Sequence, residues 1–186
     1  MNSNKDRLYI ALHARGGAPK MPGLEDTYHW AFIVGPKIEP DEGERGTRFD
    51  VRNRMSLDAQ SLQSTWEYEE RKITLEPTAM LLVRILIGKV KNMKRLKSVL
   101  EATPVRAGQP GYDHWNCVEW IKEALDRLTQ DEKALGTSAT DWDIVRDTAM
   151  WYSNKKKREH RFDGQGGYDP KKVPTWSMLD KVELVP

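Results

Sequence analysis

The stretch GYDHWNCVEWIKEALDRL, Gly111 to Leu128, decides the reading of this chain, because there a polar loop turns into an amphipathic helix at the only cysteine, Cys117. Ile121, Ala124, Leu125 and Leu128 follow Cys117 at spacings of four, seven, eight and eleven. Those positions share one helix face, so the sulfur stands at the head of the face that packs inward. Asn116 is a strong N-cap residue, and Glu119, three residues on, has the place of a capping-box acid. A cysteine in the first turn lies beside unpaired backbone N–H groups and the positive end of the helix dipole, which both favour thiolate over thiol. A lone cysteine is more often an inert small hydrophobe. The polar neighbours Asp113, His114, Asn116 and Glu119 nevertheless make Cys117 a candidate nucleophile.

With 186 residues the chain has room for one sizeable core, and a single domain over residues 1–186 is expected. No apolar run is long enough to span a bilayer, and Met1 to Asp6 is too polar for a signal peptide, so a cytoplasmic protein that does not engage membranes is expected. One cysteine forms no internal disulfide, which suits a reducing compartment. Without CxxC or HExxH, neither a metal site nor a cofactor is expected. The formal net charge of +2 hides segregation: Lys89 to Lys97 and Lys155 to Arg161 are basic runs, while Glu39 to Glu44 and Glu67 to Glu70 are acidic. Basic runs at helix ends are commonly solvated faces that suit the dipole.

Leu8 to Leu12 reads as a strand that ends at His13 and a Gly16-Gly17 loop. Thr27 to Val34, TYHWAFIV, is a second strand, with His29, Ala31 and Ile33 on one face and Tyr28, Trp30, Phe32 and Val34 on the other. Both faces are largely apolar, which predicts a central strand. Thr47 to Asn53 alternates Phe49 and Val51 against Arg48, Asp50 and Arg52 and is its natural antiparallel partner. Further strands are predicted over Trp66 to Leu75 and Leu81 to Val90. Asn92 caps a helix to about Ala102, and another helix runs from Asp141 to Arg158. The tail, Phe162 to Pro186, is loop-like, with Trp176 to Leu179 packing back on the body. Strands first and then helices predict an α+β fold, an antiparallel sheet packed against helices.

Acyl transfer by a thiol needs a base, a group that orients the base, and donors for an oxyanion. Of four histidines, His29 is the best-placed base, since its core strand tolerates it only with a polar partner. The series HW-AFIVG, TRFDV and NC-VEW resembles the circularly permuted papain-like enzymes, including the lecithin:retinol acyltransferase group, in which the histidine strand precedes the nucleophile helix. The resemblance spans Thr27 to Leu128 and implies Cys117 as nucleophile, His29 as general base and Asp50 as the residue that orients His29, with Asn53 as its substitute. That third place often holds a histidine in such families, so aspartate is a departure.

A resemblance over most of the chain, through YHWAFIVGP, GTRFDVRN, WEYEER, VRILIGKV, DHWNCVEWIKEAL and HRFDG, is to small fungal proteins associated with arginine-containing cyclodipeptide synthases. It implies an aminoacyl-tRNA donor, an aminoacyl thioester on Cys117, and attack by the amine of a second aminoacyl group. RNA phosphates would then meet Lys89, Lys91, Lys94, Arg95, Lys97, Lys155, Lys156, Lys157 and Arg158, and both runs would have to flank the mouth of the Cys117 site. An arginine side chain calls for carboxylates, with Glu67, Glu69, Glu70 and Glu119 as candidates, and Asn116 and Trp30 adjoin the reacting groups as further substrate contacts. The alternatives are a cysteine hydrolase, whether peptidase, amidase or deamidase, with the same Cys117-His29 pair, and a non-catalytic interaction module.

Overall fold

The computed structural model describes residues 5–38, 45–58 and 61–186, so the acidic stretch Glu39 to Glu44 lies outside the described residues. Strand β1 (Arg7–Ala14) leads through a 3-10 turn (Glu25–Thr27) to β2 (Tyr28–Gly35), β3 (Gly46–Asp58), β4 (Ser61–Ile73) and β5 (Leu81–Val90). There follow α1 (Met93–Glu101), α2 (Cys117–Asp131), β6 (Leu135–Ser138), α3 (Trp142–Arg158), β7 (Thr175–Ser177) and β8 (Val182–Val185). The fold is α+β, with one mixed, mostly antiparallel sheet in the order β4-β3-β2-β1-β5-β7-β8; β6 also pairs with β5, and β5 runs parallel to β7. Among the described residues no helix is long and apolar enough to cross a membrane.

Alternation along the strands divides the sheet into two unequal faces. Leu8, Ile10 and Leu12 of β1, Trp30, Phe32 and Val34 of β2, Phe49 and Val51 of β3, and Val83, Ile85 and Ile87 of β5 form the main core with the inward stripes of all three helices. On α2 that stripe is Cys117, Trp120, Ile121, Ala124, Leu125 and Leu128. The opposite face carries a smaller cluster of Tyr9, Ala11, Ile33, Leu75 and Leu86. His13, His29, Arg48 and Asp50 have the sequence parity of this second face.

β2 and β3 are paired only from Phe32↔Phe49 to Val34↔Thr47. Beyond that point the half of β2 that holds His29 is no longer paired with β3 in the ladder, and α2 packs on both strands. This parting of two strands lets a residue from the helix side of the sheet meet residues of the other side.

Several boundaries differ from the sequence reading. β1 continues through His13 to Ala14, because the histidine pairs with His29 across the ladder and does not end the strand. β3 and β4 pair over their full lengths, from Gly46↔Ile73 to Asp58↔Ser61, so β3 runs past Asn53 and β4 starts ahead of Trp66 but stops at Ile73, short of Leu75. β6, β7 and β8 span only three or four residues, too few to show a period; β7 contains Trp176 and does pack back, as a strand beside β5.

Candidate functional site

His29 Nε2 lies 2.7 Å from Asp50 Oδ2, and Cys117 stands close enough to the same ring to help raise its pKa. With Nε2 committed to the carboxylate, Nδ1 is the ring atom left for the sulfur. Asp50 is fully buried, and Arg48 Nε stands 3.4 Å from the same Oδ2. Cys117 opens α2, where Asn116 Oδ1 accepts hydrogen bonds from the backbone N–H of Val118 at 2.9 Å and of Glu119 at 3.4 Å. This cap satisfies donors that would otherwise be orphaned and sets the direction of the first turn.

Burial works against a charged His29, but the hydrogen bonds and charges of Asp50 and Cys117 outweigh it and raise its pKa to about 9. Both neighbours thus favour the protonated ring. Its cross-strand partner His13, with ring centroids 6.0 Å apart, behaves in the opposite way. Burial, followed by the cations of His29 and Arg48, pushes His13 down to about 4, so it stays neutral. The Nδ1 of the His13 ring is buried without a hydrogen-bond partner. An unsatisfied buried acceptor costs about 1–3 kcal/mol.

Both histidines line a groove of about 780 Å³ whose charged walls are Arg15, Arg48, Arg52, Arg71 and Lys72, against the single carboxylate of Glu76. Cys117 is fully buried and does not line the groove. His29 touches both the sulfur and the groove. Among the described residues no group of three or more His, Cys, Asp or Glu is placed to hold a metal ion.

The sequence model of DUF6914, a family of unknown function, matches residues 5–185. The chain belongs to that family. No curated protein and no solved structure matches it. For this DUF6914 chain, chemistry has to be argued from its own geometry.

Cys117, His29 and Asp50, singled out in sequence, are brought together. Asn53 is not the partner of His29: its Oδ1 takes the Ser64 hydroxyl at 2.5 Å. Other expectations need correction. Trp30 is fully buried, donates its Nε1–H to the Glu25 carbonyl at 2.8 Å and packs on Trp142, so it is a core residue out of reach of substrate. Asn116 spends its side chain on the helix cap. Glu119 lies in the first turn, and among the described residues its side chain makes no capping-box hydrogen bond back to Asn116. Glu67 pairs with Arg54 at 3.1 Å, Glu69 with Arg48, Arg52 and Arg54, and Glu70 with Lys97, so these carboxylates are already engaged by cations of the chain itself.

Most of the two basic runs lies away from the site, whereas Lys97 pairs with Glu70, opposite Phe49 of β3. His13 pairs with Leu81 and Arg7 with Lys89, so Lys89 lies roughly 26 Å along β5 from the histidine end, at about 3.3 Å per residue. Arg95 pairs with Asp131, the last residue of α2, which places Lys91, Lys94 and Arg95 near the end of that helix opposite to Cys117. α3 starts beside the histidine end, through Trp142 on Trp30 and Arg146 near Glu25, and Lys155 to Arg158 lie roughly 20 Å further along it. Lys156 is buried, held by Glu159 at 2.7 Å and Glu183 at 2.5 Å, and Lys155 pairs with Glu159 at 2.6 Å.

The cations that do adjoin His29 were missed. Arg48 and Arg52 alternate with Phe49 and Val51 on β3, so their common face was legible. Arg15, Arg71 and Lys72 join them only through the pairing of strands.

Proposed function

We propose that this chain is a cysteine-dependent acyltransferase in which Cys117, His29 and Asp50 act on an acyl donor that carries negative charge. The observation that carries the reading is that His29 is bonded to Asp50 and neighbours Cys117, at a helix start and beside a cationic groove. It accords with the circularly permuted papain-like arrangement that the sequence resembles.

For attack, Cys117 gives its proton to His29 and acts as the thiolate. The sulfur attacks the donor's ester carbonyl, His29 passes its proton to the leaving alkoxide, and an acyl thioester remains on Cys117. An amine then attacks the thioester. Its N–H proton goes to the now neutral His29, the C–S bond breaks, and the thiolate–imidazolium pair returns. Asp50 holds the ring in place and favours its charged form throughout. The buried sulfur requires a local opening before a donor reaches it.

An aminoacyl ester of tRNA fits this scheme, with Arg15, Arg52, Arg71 and Lys72 meeting phosphates in place of the two distal runs. The distal position of those runs favours a second reading, hydrolysis of a smaller anionic acyl compound by the same pair. Intact-mass measurement after incubation with charged tRNA separates them: an aminoacyl increment on the wild type, lost in Cys117→Ala and after RNase treatment, is expected. Persistence of the increment after RNase would point to the smaller compound, and no acyl increment from any activated ester would sink the thiol reading altogether. Cys117→Ala and His29→Ala should each abolish turnover, and the double variant should be no worse than Cys117→Ala, as for groups that act as a unit.

A further inference from the structure

The second histidine of the groove has no place in the steps above. We propose that His13 holds the acceptor: its Nδ1 takes a hydrogen bond from one N–H of the amine that attacks the Cys117 thioester. The inference rests on the acyltransfer reading and adds the residue that binds the second substrate.

Four observations carry it. His13 and His29 are direct cross-strand partners with ring centroids 6.0 Å apart, so a small group bridging them reaches both. Both line the same groove, and His29 also neighbours the buried Cys117. The His13 ring stays neutral at pH 7, and in the tautomer protonated at Nε2 the Nδ1 lone pair is an acceptor. Finally, Nδ1 has no partner inside the protein although the ring is only 8 % exposed. Buried polar atoms are nearly always satisfied, and one left open beside a reacting pair has the form of a subsite.

An amine held by His13 Nδ1 has a second N–H free to face His29. When its nitrogen attacks, the C–N bond forms, the C–S bond breaks and that second proton passes to His29. His13 gains no proton; it supplies only direction.

The test separates acylation from transfer. p-Nitrophenyl acetate acylates Cys117 with a burst of p-nitrophenolate, and intact mass then follows the loss of the acetyl adduct with and without glycinamide as acceptor amine. The burst should be unchanged in His13→Leu, while amine-dependent loss of the adduct should fall roughly ten-fold, the scale of a single missing hydrogen bond. His13→Asn, whose Oδ1 replaces Nδ1 as acceptor, should retain transfer within about three-fold of wild type. Equal amine-dependent rates in wild type and His13→Leu, or equal loss in both variants, would overturn the proposal. A wild type without any burst on Cys117 would overturn the acyltransfer reading and this inference with it.

Discussion

At the residue scale, two histidines of the same type and 6.0 Å apart are driven in opposite directions by their neighbours. His29 gains Asp50 and Cys117, whereas His13 is buried and faces the cations of His29 and Arg48. The folded pKa of His29, about 9, stands above its ordinary value of 6.5, so its contribution to stability is present in full below pH 6.5 and is lost as pH rises through 9. The folded pKa of His13, about 4, stands below 6.5, so it has no effect above pH 6.5 and destabilises the fold as pH falls towards 4. Each limb should have a slope on the order of 1 kcal/mol per pH unit. Urea unfolding across pH should therefore show the fall above pH 6.5 flattened in His29→Gln and the fall below it reduced in His13→Leu. Parallel curves for the wild type and both variants would refute the assignment.

At the element scale, α2 is a helix whose sequence signals its start, its stripe and its chemistry together. Asn116 satisfies two backbone donors at the turn that contains Cys117. Asn116→Ala should cost about 1 kcal/mol and lower the melting temperature by roughly 3 °C. The same variant should slow iodoacetamide at Cys117, because the cap sets the direction in which the sulfur projects. Calorimetry together with peptide mapping of the alkylated cysteine checks both effects. α3 was only half legible. Its stripe of Val145, Ala149 and Tyr152 is buried as the period requires, but Lys156 is buried too, because Glu183 of β8 and Glu159 supply two carboxylates that nothing in the local pattern announces.

At the scale of the whole molecule, charge is sorted by place more than by amount. The groove beside His29 gathers five cations, while most of the two basic runs of the sequence lies towards the other ends of β5, α2 and α3. Replacing Arg52, Arg71 and Lys72 by alanine should weaken binding of an anionic donor and reduce its dependence on salt by roughly one unit of slope for each phosphate no longer neutralised. Replacing Lys91, Lys94, Lys157 and Arg158 should leave both unchanged. Titration of charged tRNA at several salt concentrations measures the two sets side by side, and a larger effect from the second set would reverse the orientation argued for the donor.

By itself the sequence determined the parts whose causes are local. Aromatic and β-branched composition marked β2 and β5, period-two alternation marked β3, helical spacing with Asn92, Asn116 and Asp141 at the starts marked α1, α2 and α3, and the helix start singled out Cys117. The tertiary structure alone decided how those parts meet. Parity assigns His29 to the face of Ile33 and Cys117 to the helix side, so strand alternation would hold them apart. They meet because β2 and β3 part beyond Phe32↔Phe49, which depends on where two distant strands stop pairing and on how α2 packs against them. The choice of Asp50 over Asn53, the burial of Trp30 and Lys156, and the gathering of Arg15, Arg48, Arg52, Arg71 and Lys72 around one groove have the same origin. Each is fixed by partners far away in sequence, and periodicity and propensity carry no information about those.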